Sequence, residues 1–425
     1  MIVLIQFPKM NRPIAISLSP NTEKDDILLS LKLLFSPWRW RKKESVERLE
    51  SEFVSIFDNK FKALAVNSGR SAEYLILKAL GIGSGDNVAV QSFTCVAVPN
   101  PILWLGAKPL YVDVNDDFNI DTRDLKRKIN GKTKAIIVQN TFGIPGDLDA
   151  IKKIAQKSKS FLIEDCSHAL GAKYKGEKVG TLGDISFFSF GRDKIISSVF
   201  GGMILCSNDK VYKRIRELRD SLDFPTVGWI VQQLFHPLAF QVILPLYNLG
   251  IGKVLLFLLQ KLGLLSKAVY EEEKKGKRPV VFPEKMPGAL AELALNQLGK
   301  LDRFTKHRQR IAKLYFSGLE NIPGLSLPNN QKGTNWLRFP ITLDLRDSLY
   351  SYTRNRGVLL GDWYRHIISP VGKSDLDDIG YKSGSCPNAE ILSRSILNLP
   401  TYPSLGLKQA KEVVSLIKEW LDIKQ

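Results

Sequence analysis

The stretch 161–206, FLIEDCSHALGAKYKGEKVGTLGDISFFSFGRDKIISSVFGGMILC, decides how the chain folds. Residues 161–163 are an apolar run that ends in two acids, Glu164 and Asp165. Residues 185–190 are a second run leading into a Gly191-Arg192-Asp193-Lys194 turn, and residues 203–206 are a third, behind paired glycines. Short apolar runs bounded by glycine turns read as buried strands. In parallel α/β sheets a ligand sits beyond the carboxyl ends of the strands, so Asp165 and Lys194 are expected on one rim. Neighbours on an extended strand face opposite ways, which sends Glu164 away from that rim.

An acid and an amine converging there suit pyridoxal phosphate. The amine can form an imine with the aldehyde, while a carboxylate keeps the ring nitrogen protonated so that the ring accepts electrons. With 61 basic residues in the chain, a loop lysine taken alone reads as a solvated charge, so the neighbours must carry the argument.

Upstream, residues 45–57 have helical spacing, with Val46, Leu49, Phe53 and Ile56 on one face, and lead into a strand at 63–66. Asn67-Ser68-Gly69-Arg70-Ser71-Ala72 follows, then an apolar helix at 74–80. A glycine turn opening a helix points free amides and the positive dipole end at an anion, although Asn67 or Ser68 could equally serve as an ordinary helix cap. Strands at 87–91, 109–112 and 135–138, separated by helical stretches, imply a mainly parallel sheet covered on both faces.

Asp165 with His168 three residues on, then Gly183-Asp184, then Ser189-Phe190 with Lys194 five residues after the serine, resembles the DegT-type sugar-nucleotide aminotransferases within the aspartate-aminotransferase fold. The match runs in order from about Leu49 to the C-terminus apart from one insert. It implies an α/β large domain with a mainly parallel sheet (PLP fold type I) and a smaller C-terminal α+β domain. The boundaries expected are an N-terminal segment at 1–44, the large domain at 45–275 and the small domain at 276–425.

The resemblance assigns Asp165 to the pyridine nitrogen, His168 to the ring-hydroxyl region, Ser189 and the Gly69, Arg70, Ser71 turn to phosphate, and Lys194 to the imine and the catalytic proton transfer. The family's small threonine is Arg70 here, which either supplies a cation to an anionic ligand or points outward. Its aromatic ring stacked on the cofactor falls near Cys95, which has no flat face, and Phe93 is the substitute candidate. An asparagine that reaches the partner subunit's phosphate falls at Pro283. Related dehydratases carry histidine in place of the lysine, so Lys194 favours amino transfer from an amino acid, with glutamate the donor by analogy, to a nucleotide-linked keto-sugar. A homodimer is expected. The alternative is a catalytically inactive, membrane-associated binding protein of the same fold, suggested by Arg70, Cys95 and Pro283.

Composition bounds these readings. With 44% hydrophobic and 24% charged residues, 425 residues can bury a large core. A net charge of +18 favours phosphorylated ligands or anionic surfaces. The excess is spread without a basic tail, so no nucleic-acid partner is assigned. Cys95, Cys166, Cys206 and Cys386 lack metal or disulfide spacing, which fits a cytoplasmic protein with reduced thiols and no metal. MIVLIQF, at the start, lacks the features of an export signal. Trp38 to Lys43 interleaves rings and cations, and reads as a surface loop with one tryptophan packed inward.

The insert, 225–270, is different in kind. Residues 225–252 carry no charged side chain apart from His236, and Lys253, Gln260 and Lys267 then recur every seven residues on an oily background. Glutamines and prolines argue against a spanning helix, which leaves packing against protein or peripheral contact of 228–266 with the inner face of a membrane. The run 271–278 reads as a solvated linker. Beyond it, residues 289–314 have a long helical pattern, short strands are expected within 336–343, 357–360 and 395–399, and a helix at 407–421 closes the chain. Gly361-Asp362-Trp363-Tyr364 and His366 fall where the family's substrate-facing loop lies.

Overall fold

The computed structural model describes residues 12–57 and 60–424; MIVLIQF lies outside them. A seven-stranded sheet organises the large domain: β1 (Lys62–Val66), β2 (Asn87–Gln91), β3 (Lys108–Val112), β4 (Thr133–Gln139), β5 (Phe161–Asp165), β6 (Ile185–Ser189) and β7 (Gly202–Cys206). Their spatial order is β1-β7-β6-β5-β4-β2-β3, and β7 runs antiparallel to both neighbours while all other pairs are parallel. Burial on both faces explains the near-continuous apolar strands. Because β5 and β6 are adjacent and parallel, their carboxyl ends open on the same rim.

Helices α1 (Lys24–Leu34), α2 (Lys43–Val54) and α3 (Gly69–Ala79) precede the sheet or cover it. Trp38 is exposed, whereas the Trp40 indole donates to the Leu33 carbonyl, as expected of one ring packed inward. The insert forms two helices, α4 (Val227–Ile243) and α5 (Ile251–Lys261). Trp229, Ile230 and Leu234 of α4 join the large-domain core, while α5 lies outside α4.

The helical pattern at 289–314 is two helices, α6 (Gly288–Leu298) and α7 (Leu301–Leu319), broken at Gly299. Leu290, Leu293 and Ala294 of α6 pack in the core with Leu49 and Phe53 of α2, and the small-domain core takes over from Ile311 of α7. That second core surrounds the antiparallel pair β8 (Phe339–Thr342) and β9 (Ile396–Leu399) and the closing helix α8 (Leu407–Lys424). Ile14 and Ala15 pair with Val358 and Leu359, so the N-terminal segment adds a strand to the small domain.

Candidate active site

The rim opens into a cleft lined from both domains and from the insert. Ser68, Gly69, Asp165, His168, Ser189 and Lys194 all line it. Alternation along β5 works as expected: Asp165 faces the cleft, and Glu164 turns away to accept the amides of Gly180, Leu182 and Gly183.

Asp165 Oδ1 accepts the Ser167 amide at 2.9 Å. Burial raises its carboxyl above the usual value, opposed by the Ser167 bonds and the Lys194 charge. Lys194 is half-buried, its backbone amide bonded to the Gly191 carbonyl and its carbonyl held by Asn21. Loss of water lowers its amine from the ordinary lysine value; Asp193 opposes that shift and Arg338 adds to it. His168 is buried, and its Nδ1 accepts the Phe142 amide at 3.2 Å, which leaves the ring proton on Nε2. Burial, followed by the charges of Lys194 and Arg338, holds this imidazole well below its usual pKa, so it is a neutral donor.

At the other end, Ser68 caps α3 by accepting the Ser71 amide at 3.1 Å. The cap and the anion cradle are thus the same turn. A Cβ on Gly69 would lie 3.0 Å from Cβ of Ser189, and one on Gly202 would lie 2.2 Å from the Ser68 carbonyl oxygen. Glycine is required at Gly202, where the contact is with fixed backbone, and at Gly69 a side chain would press on Ser189. Val199, also on the lining, has φ 69°, a strained conformation for a β-branched residue.

Several sequence expectations are revised by this geometry. The Phe93 ring is fully buried and packs edge-on against Phe142 and Tyr364, so it does not form a face of the cleft; Trp363, Tyr364 and Cys95 do. The Ser71 hydroxyl is spent on Asn67 at 2.6 Å, inside the cap. Arg70 lines the cleft, but its guanidinium is paired with Glu273 and bonded to the Ala268 carbonyl. The 271–278 run is mostly exposed, as expected of a linker, but Glu273 within it is fully buried. Of the substrate-loop candidates, Asp362 and His366 do not line the cleft.

Three lining residues were given no functional role by the sequence argument. Arg338, 1% exposed, pairs with Asp193 and lies 3.5 Å from the Trp363 ring centre; a cation inside the apolar run 336–343 was the available signal. Glu73, 1% exposed, has an Oε1 with no hydrogen-bond partner, and burial together with the Asp165 charge raises its carboxyl well above the usual range. Arg192 donates to the carbonyl and the hydroxyl of Ser266 at 2.8 and 2.7 Å.

A carboxylate, a neutral imidazole donor, a desolvated lysine and a glycine–serine anion cradle in one cleft fit pyridoxal phosphate in chemistry and placement. Fold and site define a pyridoxal-phosphate-dependent aminotransferase of fold type I. The chain belongs to the DegT/DnrJ/EryC1/StrS aminotransferase family, whose model matches residues 21–223 and 253–418 and leaves out all of α4 and the turn after it. GDP-perosamine synthase of Vibrio cholerae is 27% identical over 91% of this chain and 94% of its own length. The dTDP-3-amino-3,4,6-trideoxy-alpha-D-glucose transaminase of Streptomyces venezuelae is 28% identical over 89% and 87%. Among solved structures, S. venezuelae DesV in complex with a ketimine intermediate superposes with a TM-score of 0.75 at 24% identity, covering 97% of this chain and 99% of that one. Spr1654 from Streptococcus pneumoniae, in its PLP form, gives 0.73 at 20% identity, over 98% of each.

Proposed function

We propose that this enzyme moves an amino group from an amino acid, glutamate by family analogy, to a keto-sugar carried on a nucleoside diphosphate, as a step in surface-polysaccharide or glycan assembly. The observation that carries the reading is the convergence of Asp165, His168, Ser189 and Lys194 in one cleft, in a chain whose relatives bear sugar-aminotransferase names.

Bound pyridoxal phosphate supplies an aldehyde for primary amines and a ring that accepts electrons. Asp165 would hold a proton at the ring nitrogen. The His168 Nε2–H would donate to the ring-oxygen side, and Ser189 with the Gly69 turn would receive the phosphate. Lys194, its amine made easier to deprotonate by loss of water, takes and returns the proton that moves during the transfer. Trp363 and Tyr364, which also line the cleft, bring aromatic rings suited to a sugar or base. The working unit is a homodimer.

The same reading places α5 on the cytoplasmic face of an anionic membrane. Ile251, Val254, Phe257, Leu258 and Leu262 leave large apolar side chains in water on one stripe, beside exposed Lys253 and Lys261. No helix among the described residues is long and apolar enough to cross a bilayer.

Purified protein saturated with pyridoxal phosphate should show a visible absorption band that Lys194→Ala removes. A panel of nucleotide-linked keto-sugars with glutamate, followed by 2-oxoglutarate release, identifies the acceptor. A wild type that takes up no cofactor overturns the enzyme reading in favour of a binding protein. Co-sedimentation with phosphatidylserine-containing vesicles, compared with Phe257→Glu/Leu258→Glu, tests the surface contact; equal recovery of both proteins counts against it.

A further inference from the structure

The cleft has two arginines at its Gly69 end, and they are not equivalent. Arg70 lies in the first turn of α3, and its guanidinium lies 5.8 Å from the centre of the Phe200 ring; that of Arg192 lies 5.4 Å from the same ring. Both cations therefore flank one aromatic side chain beside the Gly69 and Ser189 cradle. Arg70 is neutralised by the buried carboxylate of Glu273. Arg192 has no bonded carboxylate among the described residues: both of its fixed bonds go to Ser266, and the neighbouring Asp193 is taken by Arg338. Ser266 is in turn oriented by donating to Gln233 of α4 at 2.7 Å. Burial draws the Arg192 guanidinium down to about 10, which leaves it charged at neutral pH.

We propose that Arg192, oriented by Ser266 of the insert, is the cation that receives a phosphate group at the Gly69 end of the cleft, from either the cofactor or the diphosphate of the substrate. The insert thereby contributes to the active site as well as to the surface. Its return segment supplies Ala268 and Val269 to the lining and Ser266 to Arg192, and the run that follows it supplies Glu273 to Arg70. A guanidinium with both terminal nitrogens already directed by one serine presents its remaining edge without reorganising, which favours a charged acceptor. Ser266 is a positioning residue that acts through Arg192.

This inference rests on the cofactor and nucleotide-sugar reading above, and its test separates the two. Arg192→Gln, Arg192→Lys and Ser266→Ala are made in the full-length protein. Dissociation constants for pyridoxal phosphate and for unphosphorylated pyridoxal come from the visible band, KM for the nucleotide-linked sugar from turnover, and pyrophosphate affinity from calorimetry. Arg192→Gln should weaken pyridoxal phosphate by about tenfold or more while leaving pyridoxal unchanged. If instead KM for the sugar nucleotide and the pyrophosphate constant rise by that factor, the phosphate received is the substrate's. Ser266→Ala should weaken the same ligand by about two- to fivefold. Arg192→Lys, which keeps the charge without the fork, should fall between wild type and Gln, and it keeps the test open should the Gln variant not fold.

Equal losses for pyridoxal phosphate and pyridoxal, or no change for any phosphorylated ligand, overturn the proposal. A wild type that binds neither vitamer overturns the function reading alone; pyrophosphate binding then decides, with Arg192 dependence supporting the inference and independence overturning it.

Discussion

The Arg338 guanidinium forms an ion pair with the carboxylate of Asp193, the residue immediately before Lys194, and so ties the entry to β8 in the small domain to the turn carrying the cleft lysine. Arg338 is buried and Asp193 half-buried, so removing one partner leaves the other poorly solvated. We expect Arg338→Met to cost about 1.5–3 kcal/mol in urea unfolding, with much of it recovered when Asp193→Asn is added. Arg338 also disfavours the charged form of Lys194. Its loss should raise the lysine's proton affinity, so cofactor uptake by the apoprotein, followed at the visible band, should slow at pH 7 and recover towards pH 9.

Arg70 and Glu273 form the latch between α3 and the return from the insert, and Glu273 is fully buried. Arg70→Ala strands a carboxylate whose remaining hydrogen bond among the described residues is from the Tyr270 amide at 2.8 Å. A loss of about 3–5 kcal/mol is expected. The double variant Arg70→Met/Glu273→Leu should sit much closer to wild type, because no charge is then left unpaired. Equal destabilisation of the two proteins in guanidinium titrations would show that packing of the segment, rather than charge, sets the cost.

Acid should weaken this fold early. His168 and His236 are both buried, and burial, reinforced by Lys194 and Arg338 at His168 and by Arg192 at His236, holds both well below 6.5. The unfolded chain takes up protons at these positions near pH 6.5 while the folded chain does not. Their stabilising contribution is therefore present above pH 6.5 and is lost as pH falls from there towards the folded values. Each contributes a slope of about 1.4 kcal/mol per pH unit in that window. Urea midpoints between pH 7 and 5.5 should fall accordingly, and His236→Gln should remove one histidine's share of the slope.

Gly202 at the start of β7 passes so close to the cap of α3 that an added methyl would meet the Ser68 carbonyl carbon at 2.4 Å and the Gly69 nitrogen at 2.7 Å. These are backbone atoms that cannot rotate aside. Gly202→Ala should cost at least about 1–3 kcal/mol and should loosen the anion cradle. Differential scanning calorimetry checks the first effect, and cofactor retention on dialysis the second.

The core of the site was legible because Asp165 and Lys194 each lie within a few residues of a strand's carboxyl end. Once β5 and β6 are neighbours in a parallel sheet, those two ends must share a rim. Glu164 facing away followed from the same alternation, and the glycine turn at Ser68–Gly69 from the helix it opens. The direction of β7 could not be read, since an apolar strand buried on both faces carries no mark of which way it runs.

Other assignments depended on partners far along the chain. Glu273 sits in a charged run that by composition belongs in water, yet Arg70, some two hundred positions earlier, draws it inside. Phe93 has the aromatic ring a cofactor could rest on, but Tyr364 from the small domain covers it. The oily insert looked alike whether it met protein or lipid; the fold divides it, burying one side of α4 and leaving the outer stripe of α5 in water. Periodicity and turn chemistry act over a few residues, so they write themselves into the sequence. Which charge is desolvated, and which cation stays unpaired for a ligand, is set by atoms that meet after the chain has closed on itself.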